Sequence, residues 1–269
     1  MSIKEIEKRA AAGDAAAQWE MGQLLNSYDG DVPRNHIEAE KWFLRAAEQG
    51  YVAAEVSLGD LFESHDEPPQ DLEKACGWYR KAAERGYAPA QYALADCLAG
   101  WCERPQEALK WFRMAAETGH TQAACDLGNI YFQGTGVPKN YAEAFKWFLK
   151  AAEQGEVSAF QDVGSMYADG KGVAQNGGEA LKWLLRIADP RNTEDPFSMR
   201  GAQITLASMY ALGEAIPIDN IEAYKWLNLA AAYGVQEAAQ GLDRFAQRMS
   251  RQEIEEAQKR SAELFTPGI

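Results

Sequence analysis

Apolar and small residues recur along the chain in a pattern of the form A-x-x-W-[FYL]-x-x-A-A-x-x-G. In the best-preserved copy, Ala144, Trp147, Phe148, Ala151 and Ala152 are spaced i, i+3, i+4, i+7 and i+8. This spacing places them on one face of an α-helix and leaves charged residues on the opposite face. The pattern therefore predicts an amphipathic helix, named helix B here, in which a tryptophan lies beside small alanines.

The pattern occurs six times, with its tryptophans at Trp42, Trp78, Trp111, Trp147, Trp183 and Trp226. A period of 33 to 43 residues is typical of an array of stacked units that share one continuous core. We therefore expect one elongated domain over residues 1–269. Its repeats are predicted near 14–50, 51–86, 87–119, 120–155, 156–198 and 199–234.

A second helix, named helix A, is predicted in each repeat before helix B. Its apolar residues form one helical stripe around a small residue. The small residues are Gly22, Gly59, Ala95, Gly128, Gly164 and Ala207. Glycine inside a helix costs about 1 kcal/mol relative to alanine. Its recurrence therefore indicates that a neighbouring helix approaches too closely at this point for a larger side chain.

The ends of the helices B are marked by capping residues. Four N-caps are predicted where a polar residue precedes a glutamate by three positions, at Asn35, Asn140, Asn176 and Asp219. Pro105 suits a first helical turn. Glycines that can adopt a left-handed conformation follow five of the helices, at Gly50, Gly86, Gly119, Gly155 and Gly234.

Both ends of the chain, and one internal segment, depart from the repeat. A half repeat is predicted at 3–13, and capping helices are predicted at 235–265, where Ser250 and Glu253 have the spacing of a capping box. The fifth repeat contains an insertion at 189–199, whose two prolines exclude a continuous helix. Insertions of this kind either mark a binding face or are tolerated loops.

The full pattern of a repeat resembles the Sel1-like repeat, a relative of the tetratricopeptide repeat. The fourth repeat carries this pattern in Leu127, Gly128, Tyr131, Gly134, Gly136, Val137, Ala144, Trp147, Ala151, Ala152 and Gly155. The first repeat keeps only Gly30 and Val32 of the G-x-G-V turn, and the second, third and sixth repeats lack this turn. The resemblance implies an all-α, right-handed superhelical solenoid whose helices A line the concave face. It also implies an adaptor in signalling, protein quality control, virulence or toxin neutralisation.

The net charge of −13 bears on the class of partner. Nucleic acids and anionic membranes would be repelled, so we expect neither as a partner. The first residues contain no apolar core of signal-peptide length, and no stretch reaches the roughly 20 apolar residues of a transmembrane helix. The sequence therefore predicts a cytoplasmic protein with a protein partner.

Candidate chemistry is sparse. The sequence has no G-x-S-x-G, H-E-x-x-H, phosphate-loop or S-x-x-K motif, so we expect neither catalysis nor a cofactor. Cys76, Cys97, Cys102 and Cys125 do not recur with the repeat, unlike the cysteine pairs of some secreted Sel1-like proteins. We therefore expect four free thiols. A zinc site from Cys97, Cys102, His120 and Cys125 is disfavoured because the predicted helices place Cys102 and His120 near opposite ends of the layer.

The geometry implied by the resemblance singles out two positions in each helix A, two residues before and one residue after the small residue. These positions are Glu20, Gln23, Ser57, Asp60, Ala93, Asp96, Asp126, Asn129, Asp162, Ser165, Thr205 and Ser208. They include several acids and no lysine or arginine. A wall of this composition is predicted to attract a basic segment of a protein. The alternative is an ordinary solvated helix face.

Three functions remain open at this point. The first is a non-catalytic adaptor or regulator that binds a protein partner in an acidic concave groove. The second is an immunity protein that neutralises a basic toxin. The acidity of the chain is compatible with this role but does not favour it over the first. The third is a hydrolase that acts on a small substrate, as β-lactamase activity has been claimed for some relatives. The missing S-x-x-K motif weighs against the third.

Overall fold

The computed structural model describes residues 2–27, 33–64, 70–100, 104–192 and 195–265. These ranges contain fifteen α-helices and no strand, which confirms the predicted all-α solenoid. The chain divides into two compact units, residues 1–123 and 124–269. Gly30, Val32 and Cys102 lie outside the described residues. No helix within the described ranges is both long and apolar enough to cross a membrane.

The first unit is built from α1 to α7, each packed against the next. Helices α2, α4 and α6 are helices A, and α3, α5 and α7 are helices B. Their bounds are α1 (Ile3–Ala11), α2 (Ala15–Asn26), α3 (His36–Glu48), α4 (Val52–Glu63), α5 (Leu72–Glu84), α6 (Ala88–Gly100) and α7 (Pro105–Glu117).

The second unit contains α8 to α15, except for the first three residues of α8. Helices A are α8 (Thr121–Gln133), α10 (Ser158–Asp169) and α12 (Pro196–Leu212), and helices B are α9 (Tyr141–Glu153), α11 (Gly177–Ala188) and α13 (Asn220–Ala232). The terminal helices are α14 (Gln236–Ala246) and α15 (Arg251–Ala262). Helix α12 also packs on α10, so successive helices A contact each other in this unit.

The small residue of each glycine-bearing helix A lies against the residue that follows the tryptophan in the next helix B. A Cβ atom on Gly128 would lie 2.7 Å from Cδ1 of Phe148, and one on Gly164 would lie 2.6 Å from Cγ of Leu184. Gly22 and Gly59 face Phe43 and Tyr79 in the same way. The predicted close approach is therefore confirmed, and its physical basis is a large side chain inserted at the glycine.

The predicted helix ends are also present. The side chains of Asn35, Asn140, Asn176 and Asp219 each accept a hydrogen bond from the backbone N–H three residues later. The five predicted C-terminal glycines have φ between +78° and +100°. Pro105 occupies the first turn of α7, and Ser250 and Glu253 form the predicted capping box of α15. Asp71 is a further N-cap, on α5, which the glutamate pattern did not reveal.

The insertion at 189–199 lengthens a helix A rather than forming a loop throughout. Helix α12 begins at Pro196, and the side chain of Asp195 caps it by accepting hydrogen bonds from two backbone N–H groups. Proline is tolerated there because backbone N–H groups in the first turn have no acceptor within the helix, so the lack of an N–H loses no hydrogen bond. As a result α12 has 17 residues, against 12 in α10.

The prediction of four free thiols is wrong for two of them. Cys76 of α5 and Cys97 of α6 form a disulfide, with their Cα atoms 6.1 Å apart. The bridge joins helix B of the second repeat to helix A of the third. A search for cysteine pairs that recur within single repeats could therefore not find it. Cys125 is free and buried.

Candidate functional site

The predicted polar positions fall into two sets, one in each unit. The first polar set, from α2, α4 and α6, consists of Glu20, Gln23, Ser57, Asp60 and Asp96. The second polar set, from α8, α10 and α12, consists of Asp126, Asn129, Asp162, Ser165, Thr205 and Ser208. Helix periodicity puts the members of one helix on one face, but only packing decides whether neighbouring helices bring their members together.

In the first polar set, side-chain hydrogen bonds join α2 to α4. The hydroxyl of Ser57 accepts hydrogen bonds from Nε1 of Trp19 at 3.0 Å and from Nε2 of Gln23 at 3.3 Å. Ser57 is only 6% exposed. Ser57 therefore joins two helices within the protein, and the surface available to a partner at this point is formed by Gln23.

Asp60 takes part in a cluster that sequence reasoning missed. The hydroxyl oxygen of Tyr79 lies 2.7 Å from Oδ1 of Asp60 and 2.8 Å from Oε2 of Glu63. Burial raises the pKa of Asp60, and the hydrogen bond from Tyr79 acts in the opposite direction. Burial also raises the pKa of Tyr79, and the two neighbouring carboxyls raise it further. Tyr79 therefore stays protonated and offers its one proton to two acceptors.

The remaining members of the first polar set are accessible. Asp96 is exposed, and Glu20 is half-buried, as is the neutral position Ala93. Neither Asp60 nor Asp96 forms an ion pair with another described residue. Both carboxyls are thus available to a positively charged group from outside the protein.

In the second polar set, α10 and α12 lie side by side. The hydroxyls of Ser165 and Thr205 are 3.4 Å apart, and the Thr205 hydroxyl donates to the carbonyl of Gly201 at 3.0 Å. Ser208, one turn further along α12, is exposed, as is Asn129 of α8. Short polar groups from successive helices A are thus adjacent in this unit.

The acids of the second polar set are partly withdrawn from water. Burial raises the pKa of Asp162 from 3.8 to about 6. The buried thiol of Cys125 has its pKa raised to about 12, mainly by burial and further by the charges of Glu156, Asp162 and Asp126. A thiol this weakly acidic is not a nucleophile at neutral pH. The surroundings of Cys125 thus favour packing over catalysis.

A mainly apolar cavity with two arginines adjoins the second polar set at Ser208. Its volume is about 230 Å³, and its lining is Ala207, Ser208, Ala211, Leu227, Gly241, Arg244, Phe245 and Arg248. Sequence reasoning treated 235–265 only as a cap. The sequence signal that could have indicated this cavity is the pair Arg244 and Arg248, four residues apart on either side of Phe245.

The zinc hypothesis finds no support in the described residues. Within the described ranges, no three or more His, Cys, Asp and Glu side chains are grouped so that they could hold a metal ion. The sulfur of Cys97 is bonded to that of Cys76 and has no thiolate to offer. Cys102, another of the four candidate zinc ligands, lies outside the described residues.

Comparison with known proteins defines the class. The profile of the Sel1 repeat matches residues 15–51, 52–87, 88–120, 121–156, 162–189 and 201–234. The protein is an all-α repeat solenoid, and the chain belongs to the Sel1 repeat family. Sel1 repeat proteins are in general modules that bind protein partners without catalysis. No curated protein matches the sequence.

Solved structures agree with this assignment. The chain is similar, with 25% identity and a TM-score of 0.75 over 97% of its length, to a protective antigen of uropathogenic Escherichia coli that displays an SLR fold. It spans 55% of the length of that protein. A Sel1 repeat protein from Oxalobacter formigenes is 32% identical over 82% of this chain and 86% of its own, with a TM-score of 0.61. An immunity protein from Pseudomonas aeruginosa matches 79% of this chain and 81% of its own at 19% identity, with a TM-score of only 0.37.

Proposed function

We propose that this chain is a non-catalytic adaptor that binds a basic segment of a partner protein through the acidic side chains of its helices A. The observation that carries the proposal is the composition and placement of the two polar sets. Each set contains one pair of successive helices A whose polar side chains lie within hydrogen-bond distance, Gln23 and Ser57 in the first and Ser165 and Thr205 in the second. No member of either set is basic.

The charges of the polar sets favour a basic ligand. Asp60, Asp96 and Asp162 have no cationic partner among the described residues, in contrast to acids such as Glu107, which pairs with Arg80 at 2.7 Å. Unpaired carboxylates leave a negative potential that attracts a cationic segment and speeds its association. Repeat proteins commonly bind along such successive helices, since each repeat supplies one contact.

A catalytic role has less support in the chemistry of these positions. Hydrolysis needs an activated nucleophile next to a base. The only free thiol in the described residues, Cys125, is buried and has a raised pKa. Short polar side chains spread over several helices suit a series of weak contacts with an extended chain.

The proposal is tested with an unstructured peptide of alternating lysine and serine, eight residues long, as the probe. Binding to the full chain is measured by fluorescence anisotropy at several salt concentrations. The variant Asp60→Asn, Asp96→Asn, Asp126→Asn and Asp162→Asn keeps side-chain size while it removes four charges. Each exposed contact contributes about 0.2–1 kcal/mol, so we expect about tenfold weaker binding and a smaller salt dependence.

A matched control removes four other carboxylates. Glu48, Glu84, Glu117 and Glu153 are exposed at the ends of α3, α5, α7 and α9 and have no ion-pair partner in the described residues. Their replacement by Gln changes the net charge equally. The control should bind the probe nearly as the wild type does. An equal loss in both variants would show attraction by overall charge and would contradict the proposed site.

The two polar sets are also tested separately. Asp60→Asn with Asp96→Asn changes only the first set, and Asp126→Asn with Asp162→Asn changes only the second. We expect each pair to weaken binding of the probe in part. Wild-type affinity in one pair would remove that set from the binding surface.

A further inference from the structure

The cavity between α12, α13 and α14 differs in character from the acidic positions. Its walls are apolar or small at Ala207, Ala211, Leu227 and Phe245. At about 230 Å³ it is smaller than the roughly 300–1,000 Å³ of pockets that hold a drug-sized molecule. The cavity is therefore of a size to admit one apolar side chain rather than a whole ligand.

Two arginines form the polar part of this lining. Arg244 lies on α14, and Arg248 lies in the turn that follows, where its backbone N–H donates to the carbonyl of Phe245 at 2.9 Å. Both are exposed, and neither forms an ion pair with any described residue. Asp243 is adjacent in sequence to Arg244, but neighbouring positions on a helix point in different directions. The chain thus places two uncompensated positive charges at the mouth of an apolar cavity, in a protein of net charge −13.

We propose that this cavity binds the C-terminal residue of a protein or peptide. An aliphatic side chain enters between Ala211 and Leu227, and the terminal carboxylate accepts hydrogen bonds from Arg244 and Arg248. Guanidinium groups bind carboxylates with paired, charge-assisted hydrogen bonds. The proposal goes beyond the acidic binding surface, because it specifies a second chemistry in a cavity that shares only Ser208 with the second polar set.

Apolar and cationic residues line the same small cavity, which favours a chain terminus over an internal acidic segment. In an extended segment, successive side chains point to opposite faces, and the next side chain on the same face is about 7 Å away. An aspartate beside an apolar residue would therefore point away from the arginines. At a C-terminus, the carboxylate and the apolar side chain are attached to the same Cα atom and reach both parts of the cavity together.

The test uses four short peptides of glycine and serine whose ends differ. The first ends in leucine with a free carboxylate, the second ends in leucine amide, and the third ends in glycine with a free carboxylate. The fourth is amidated and has an internal Leu-Asp pair. Binding to the full chain is measured by NMR titration of the alanine and leucine methyl groups. We expect the first peptide to bind about tenfold more tightly than each of the others.

Variants of the lining locate the effect. Arg244→Gln with Arg248→Gln should abolish the preference for the free carboxylate, and Ala211→Leu should fill the cavity and weaken binding of the first peptide. Arg200→Gln is the matched control, since Arg200 is exposed on α12, unpaired, and outside the cavity lining. It should leave all four affinities unchanged.

Several outcomes would overturn the proposal. Equal binding of the acid and the amide would exclude carboxylate recognition, as would a failure of the first peptide to bind at about 1 mM. Equal binding of the Leu-Asp peptide would assign the cavity to an internal acidic segment. If 4-methylpentanoate alone bound as tightly as the first peptide, the site would belong to a small carboxylic acid and not to a chain terminus.

Discussion

The ring of Tyr79 on α5 lies against the backbone of Gly59 on α4, so closely that any side chain on Gly59 would overlap the ring. The same ring carries a hydroxyl that reaches the carboxyls of Asp60 and Glu63. One residue of helix B thus sets both the approach of two helices and the environment of an acid in the first polar set. Tyr79 thus links the packing of α4 against α5 to the environment of Asp60, a candidate binding residue.

Replacement of Gly128 by leucine should destabilise the protein. A Cβ atom at this position would lie 2.7 Å from Phe148, so the helices must move apart, at a cost of about 1–3 kcal/mol. Gly77→Leu is the matched control, because Gly77 is an exposed helical glycine with no atom within 4 Å of an added Cβ. It should stabilise the protein by about 0.5–1 kcal/mol through helix propensity. Urea unfolding measures both, and an unchanged midpoint for Gly128→Leu would contradict the close packing.

Replacement of Tyr79 by phenylalanine should keep the contact with Gly59 and remove the hydroxyl. The carboxyls of Asp60 and Glu63 lose a donor, which we expect to lower the free energy of unfolding by about 1–2 kcal/mol at pH 7. The pKa of Asp60 should rise further, because the hydrogen bond from Tyr79 lowers it in the wild type. NMR titration of Asp60 measures this rise. Tyr87→Phe, at an exposed tyrosine, is the control and should change neither quantity.

Asp162 should make stability depend on pH in an unusual direction. Its pKa in the folded protein is raised from 3.8 to about 6 by burial, so the folded state holds this proton more tightly than the unfolded state. Its contribution to stability is therefore present below pH 4 and is lost as pH rises through about 6. Asp162→Asn should be more stable than the wild type at pH 7 by about 1–3 kcal/mol, with little difference below pH 4.

Urea unfolding across this pH range tests the expectation. A constant difference between Asp162→Asn and the wild type at all pH values would show that ionisation of Asp162 is not responsible.

The Cys76–Cys97 bond should contribute to stability. It closes a loop across a sequence separation of 21 residues, and loops of this size correspond to about 2–4 kcal/mol. Cys76→Ser with Cys97→Ser should lower the free energy of unfolding by this amount. Dithiothreitol should lower that of the wild type similarly and leave the variant unchanged. Detection of four free thiols in the unreduced, denatured protein would show that the bond does not form.

The repeat and its helices were determined by the sequence alone. A recurring tryptophan with alanines at i+4 and i+5 encodes helix B, and a glycine such as Gly128 encodes the close approach of helix A. Caps such as Asn140 and terminal glycines such as Gly155 fix where helices end. These features depend on backbone conformation and on helical periodicity, both of which are local properties of the chain.

The chemistry of individual positions required the tertiary structure. Ser57 follows the pattern of an exposed position, yet hydrogen bonds from Trp19 and Gln23 hold it in the interior. Cys76 and Cys97 occupy different repeats, so no period relates them. The cavity beside Arg244 joins residues of three helices. Burial, disulfide pairing and cavity shape depend on distances between side chains that are far apart in sequence, and helix packing sets these distances.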